Sequence, residues 1–115
     1  MNQQKTYHNE SIPIIVSNSY IKKYYLDNRL EILPKEIKNK LKEVFVTFTE
    51  NVGGILVVIF DNKNYNLLLN IEKNDDDIGF DEINANYKLS KLENENIELF
   101  EQIAKFCKFK LNGLV

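Results

Sequence analysis

The stretch from Gly53 to Glu72 constrains the fold most, because it has the pattern of a β-hairpin. Residues 54–60 are mainly aliphatic and β-branched, end in phenylalanine and carry no charge, which is typical of a buried strand. Residues 61–64 form a cluster of turn-forming side chains. Residues 65–72 then alternate between apolar and polar, with Leu68 the exception, as in a strand that is buried on one face.

The two predicted strands differ in how many of their faces are apolar. Both faces of residues 54–60 are apolar, so we expect this strand to be covered on both sides. A hairpin alone is at best marginally stable in water, and the strand 65–72 leaves an open edge unless it has a neighbour. The rest of the chain or a second subunit must therefore supply this cover.

The C-terminal region is predicted as a helix over residues 91–111. Ser90, followed three residues later by Glu93, has the capping-box pattern of a helix N-terminus. Apolar residues then recur at helical spacing: Leu92, Leu99, Phe100, Ile103, Phe106 and Cys107. The pair Asn112-Gly113 is suited to ending the helix.

A second helix is predicted over residues 34–50, with Pro34 at its start. One face carries the apolar residues Ile37, Leu41, Val44, Phe45 and Phe48. The alternative is a strand over residues 44–49, whose residue types favour β-structure. In either case Gly53-Gly54 ends the element.

The N-terminal region gives a weaker pattern. Isoleucines and tyrosines at partial helical spacing favour a helix over residues 14–25. The alternative is a strand around Ile12 to Val16, in which Pro13 requires an edge position or a late start. Residues 80–87 are predicted as a short helix or an irregular segment.

Together these elements predict an α+β fold, in which helices pack on a small antiparallel sheet centred on the hairpin. A chain of 115 residues with 43% hydrophobic residues is expected to form a single domain, 1–115, with residues 1–10 frayed. The region 22–42 carries seven basic residues against three acidic ones, whereas 70–101 carries ten acidic residues against three lysines. These two regions are complementary within or between chains.

Composition narrows the classes of function. The net charge of −2 argues against non-specific nucleic-acid binding by the whole domain. A single cysteine, Cys107, excludes an internal disulfide and suits a cytoplasmic location. We find neither the apolar core of a signal peptide nor an apolar run long enough to span a membrane.

No catalytic, cofactor or metal motif is present. His8 is the only histidine and lies in a polar segment, while Cys107 is interpreted as a small core residue. The acidic run Asp75-Asp76-Asp77 fails the EF-hand pattern and is interpreted as a solvated loop. Gly53-Gly54 lacks the spacing and the lysine of a phosphate loop. We therefore expect a protein that is not an enzyme and has no cofactor.

One cluster is a candidate interaction surface, because aromatic rings stack on bases and lysines bind phosphates. Its members are Tyr20, Lys22, Lys23, Tyr24 and Tyr25. The competing interpretation, which we favour, is an amphipathic helix with tyrosines on the core and lysines in water.

Several short segments are distinctive together: Lys23-Tyr24-Tyr25-Leu26, Leu33-Pro34 with Ile37-Lys38, the segment 48–55 around Val52-Gly53-Gly54, and Phe60-Asp61. In this order they resemble a family of short, uncharacterised Firmicutes proteins. The resemblance covers residues from about 20 to the C-terminus. This family has no assigned activity, so the resemblance implies a small bacterial domain and no site residue.

The sequence therefore favours a small, non-enzymatic cytosolic interaction or regulatory module that forms a homodimer. The alternative is a module that binds a small ligand or nucleic acid through the basic, tyrosine-rich region 20–42.

Overall fold

The computed structural model describes residues 11–111 and shows an α+β fold built on one four-stranded antiparallel sheet. The strands are β1 (Ser11–Asn18), β2 (Lys23–Leu26), β3 (Ile55–Asp61) and β4 (Asn66–Glu72), and the helices are α1 (Lys35–Val52), α2 (Glu82–Glu95) and α3 (Ile97–Lys110). A short 3-10 helix, Asn28–Leu30, joins β2 to α1. The predictions for residues 1–10, His8 and Asn112-Gly113 lie outside the described residues.

The predicted hairpin is confirmed as β3 and β4, which pair from Ile55 with Glu72 to Asp61 with Asn66. Its turn is held by Asp61, whose carboxylate accepts hydrogen bonds from the Lys63 amide at 2.9 Å and from the Asn64 side chain at 2.9 Å. The sheet order β2-β1-β3-β4 leaves β4 as an edge strand among the described residues.

The predicted helix over 34–50 is confirmed as α1, which excludes the alternative strand over 44–49. Leu41, Phe45 and Phe48 are buried on the predicted face. Gly53 ends the helix with a φ of 88°, a conformation that favours glycine, and its amide donates to the Thr49 carbonyl at 2.8 Å.

The predicted helix over residues 14–25 is wrong, because this region forms β1, a turn and β2. β2 pairs only with Ile15 to Asn18, so Pro13 lies beyond the end of its neighbour, where no ladder bond on that side is required of it. On its other side β1 pairs with β3, with a register shift between Pro13 and Ile15. The strand alternative was the correct one.

The prediction over 91–111 is confirmed as helical structure, but not as one helix, because Asn96 ends α2 and starts α3. Its φ of −125° and ψ of 29° are not helical, and its side-chain amide donates to the Leu92 carbonyl at 2.9 Å. Ser90 consequently lies inside α2 and does not cap a helix. The cap of α2 is Asp81, whose carboxylate accepts from the Asn84 amide at 3.0 Å.

All three helices contribute to one core on one face of the sheet. The inward side chains of β3, Leu56, Val58 and Phe60, have no exposed surface. Phe45 of α1 stacks on Phe100 of α3 with ring centroids 5.5 Å apart. As predicted, Cys107 is a buried, free core residue, and burial raises its pKa to about 12.

Candidate interaction surfaces

The predicted basic and tyrosine-rich cluster does not form one surface. Tyr20 and Lys22 lie in the turn between β1 and β2, where Lys22 has a positive φ of 54°. The Tyr20 hydroxyl donates to the Asp77 carboxylate at 2.5 Å and accepts from the Asn74 amide at 3.2 Å. The hydrogen bond to Asp77 raises the pKa of Tyr20. Tyr20 therefore connects this turn to the acidic loop, as a structural contact.

Tyr24 and Tyr25 lie on opposite faces of the sheet, because successive side chains of a strand alternate. Tyr24 faces the helices and lies below Lys42, whose amino group is 5.9 Å from the ring centroid. Its hydroxyl is buried and has no hydrogen-bond partner, and burial raises the Tyr24 pKa to about 12. Tyr25 faces outward and is 50% exposed.

A basic pocket of about 450 Å³ lies between the β1–β2 turn and the C-terminal half of α1. Lys22 and Lys42 supply its positive charge, against the single acid Glu50. Its serine hydroxyls are already used, since Ser19 donates to the Gly54 carbonyl at 2.7 Å and Ser17 pairs with Thr49. The pocket therefore offers positive charge to a ligand, but few free hydroxyl groups.

A second groove, which the sequence did not indicate, lies between the hairpin turn and α3. It has a volume of about 450 Å³ and a largely apolar lining that includes Tyr65, Phe100 and Phe109. The Lys108 amino group lies 4.6 Å from the centroid of the Tyr65 ring. Glu93 also lines the groove, and partial burial raises its pKa. The helix break at Asn96, which separates Glu93 from α3, was not predictable from hydrophobic spacing.

Metal binding has no support among the described residues, 11–111, which contain no group of three or more histidine, cysteine or acidic side chains able to hold an ion. In the acidic loop, Asp77 already accepts the hydrogen bond from Tyr20. No helix in the same part of the chain has the length and apolar character required to cross a membrane.

A third candidate surface is the outer face of the sheet, which we define by its cross-strand rows. The first row is Lys23, Asn18, Ile55 and Glu72; the second is Tyr25, Val16, Val57 and Asn70; the third is Pro13, Ile59 and Leu68; the fourth is Ser11, Asp61 and Asn66. Apolar side chains fill the centre of this face, and polar ones lie at its edges.

No helix of the described region covers the outer face. Val16, Ile55, Val57 and Ile59 are partly exposed, and none of them belongs to the core cluster. Leu68 is 45% exposed. Within residues 11–111, the prediction that both faces of β3 are covered is therefore correct only for the inner face. An apolar, contiguous surface of this kind is typical of an interaction site.

Comparisons with known proteins identify a family for this chain and no activity. A search of the curated proteins found no match, and a search of the solved structures found none either. A family model does match, over residues 11–113, and its description is a family of unknown function, DUF6145. Since the match spans nearly the whole chain, the protein belongs to this family.

Proposed function

We propose that this protein is a small, non-enzymatic interaction module that forms a homodimer through the outer face of its sheet. The observation that carries the proposal is the apolar strip Ile55, Val57 and Ile59, which remains partly exposed beside Val16 and Leu68. Leaving apolar area in water costs about 25 cal/mol per Å² relative to burying it. A second copy offers the same apolar patch and buries both at once.

The size of the face predicts a moderate affinity. The four strands have 8, 4, 7 and 7 residues. With about 4.8 Å between strands and about 3.3 Å per residue, they present on the order of 400 Å² of flat area, roughly half of what each partner contributes to a standard interface. We therefore expect a reversible dimer with a dissociation constant in the micromolar range. The proposal includes a cytosolic location, which is supported by a lone cysteine, Cys107, that is free and buried.

The first experiment measures molar mass by light scattering across a concentration series that spans the micromolar range. We expect the mass to rise from one chain to two, and a chain that stays monomeric throughout would contradict the proposal.

A pair of matched variants locates the interface. Val57→Asp places a charge at the centre of the outer face and should give a folded monomer. Ile83→Asp places the same charge on α2, at a side chain that is 85% exposed, and should leave the dimer intact. Circular dichroism of both variants controls for folding. A Val57→Asp protein that dimerises like the wild type would exclude the outer face.

A second candidate function is binding of a small anionic ligand in the basic pocket. It is favoured by the two lysines that supply the charge of the pocket, Lys22 and Lys42, and by the unpartnered hydroxyl of the adjacent Tyr24. Titration with inorganic phosphate and with single-stranded RNA at low and moderate salt tests it. Binding that falls steeply with salt, and is lost in Lys42→Gln, is the expected result. No binding of either probe at low salt would exclude this candidate.

A further inference from the structure

The order of charges across the outer face specifies how two copies would pack. In its first row, Lys23 lies at the β2 edge and Glu72 at the β4 edge, with Asn18 and Ile55 between them. Both charged side chains are exposed. The Glu72 carboxylate accepts a hydrogen bond from the Asn70 side chain at 3.0 Å, which places it on the outward side. The face is therefore positive at one edge and negative at the other.

Two packed sheets that share the same face must be related by a twofold axis that lies between them. In an aligned sandwich this axis runs either along the strands or across them. If the axis runs along the strands, each row faces the same row of the partner subunit, but the order of the strands is reversed. β2 then faces β4 of the partner subunit, and β1 faces β3. Lys23 then lies opposite Glu72 of the partner subunit, and Val57 lies opposite Val16 of the partner subunit.

An axis across the strands produces a poorer match. The rows are reversed, so Ile55 of the first row lies opposite Asp61 of the partner subunit in the fourth row. Lys23 then has no strand opposite it, because β2 contributes only to the first two rows. This arrangement places an apolar side chain on a carboxylate and leaves both edge charges without partners of opposite sign.

We infer that the dimer is an aligned sheet sandwich with its twofold axis parallel to the strands, held in register by two Lys23–Glu72 pairs between subunits. The inference rests on the proposed homodimer and adds its geometry. The apolar centre provides the affinity, and the edge charges select the orientation.

Zero-length cross-linking with a carbodiimide tests this register directly. Within one chain, Lys23 and Glu72 are three strand spacings apart, about 14 Å, which exceeds the combined reach of their side chains. An amide between them must therefore connect two subunits. We expect a Lys23–Glu72 cross-linked peptide in the dimer band by mass spectrometry. Lys23→Arg, which keeps the charge, should remove the peptide without changing the measured mass.

Charge reversal provides an independent test by sedimentation. Lys23→Glu and Glu72→Lys should each raise the dissociation constant by about 5- to 10-fold, and the double variant should restore it to within about twofold. Lys88→Glu on α2 is the matched control and should have no effect. A dimer without the cross-link, or a double variant weaker than both singles, overturns the register alone. A chain that is monomeric throughout overturns the homodimer as well.

Discussion

The Oγ of Ser17 on β1 and the Oγ1 of Thr49 on α1 lie 2.8 Å apart inside the core. Each residue is only 2% exposed. Thr49 also approaches two carbonyls of its own helix, Val46 at 3.2 Å and Phe45 at 3.3 Å. Because the Thr49 hydroxyl donates its proton to its own helix, the Ser17 hydroxyl donates to Thr49. This hydrogen bond connects β1 to α1 inside the core.

Thr49→Val should therefore destabilise the protein by about 1–3 kcal/mol, because it leaves the buried Ser17 hydroxyl without a partner. Adding Ser17→Ala removes that stranded group, so the double variant should lose less stability than the sum of the two single variants. Chemical denaturation of all four proteins measures the difference, and strictly additive losses would contradict the coupling.

Asp81→Ala should lower stability by about 0.5–2 kcal/mol, because the Asn84 amide loses its acceptor at the start of α2. Ser90→Ala is the informative comparison, since a capping Ser90 would give the same loss. Ser90 is instead an exposed residue within α2, where alanine has the higher helix propensity, so its replacement should be neutral or slightly stabilising. The denaturation midpoint should therefore fall for Asp81→Ala and should not fall for Ser90→Ala.

Replacing each of three glycines by alanine should reduce the stability of the protein by different amounts, with the largest loss at Gly54 and the smallest at Gly79. A Cβ at Gly54 would lie 2.7 Å from the Glu72 carbonyl oxygen, and φ there is 80°, so Gly54→Ala combines a backbone clash with strain. Gly53→Ala has the strained φ of 88° but only ordinary contacts, and should cost about 1–3 kcal/mol. Gly79→Ala meets nothing within 4 Å and should be close to neutral. A loss at Gly53 equal to that at Gly54 would contradict the clash.

Acid should destabilise the protein through Asp27. The Arg29 guanidinium donates to both Asp27 carboxylate oxygens, at 2.9 and 3.0 Å, and lowers the pKa of Asp27 below its ordinary value of 3.8. The unfolded state therefore binds a proton first as the pH falls. The stabilisation is complete above the ordinary value and is lost below it, as the pH passes through the folded-state pKa.

Denaturation midpoints at neutral and strongly acidic pH check this prediction, with Asp27→Asn as the control. The variant should be less stable than the wild type at neutral pH and should show a shallower decline in acid. An equally steep decline in both proteins would assign the acid sensitivity to other carboxylates.

Some of this structure was accessible from local pattern. β4 and the inner face of α1 follow periods of two and 3.6 residues, and those periods reflect which side chains lie toward the core. The N-terminal strand escaped prediction because a few isoleucines and tyrosines fit both periods over so short a stretch. The break at Asn96 escaped prediction because Leu92 and Leu99 continue the apolar stripe on both sides of it, and the interruption is confined to a single residue whose side chain donates to the Leu92 carbonyl.

The candidate surfaces were also predicted only in part. Sequence pattern showed that both faces of β3 are apolar, because alternation along a strand is a local property. The same pattern grouped the tyrosines and lysines of residues 20–25 on a predicted helix. It therefore missed that these side chains lie in a turn and on two opposite faces of a sheet.

The sequence by itself determined the hairpin, α1, the buried environment of Cys107 and the apolar character of both faces of β3, since each depends on neighbouring residues. Only the tertiary structure decided which of those faces the helices cover, and that Lys23 and Glu72 lie at opposite ends of one row. Both outcomes depend on strand order and register, which join residues nearly fifty positions apart, and no local pattern records them.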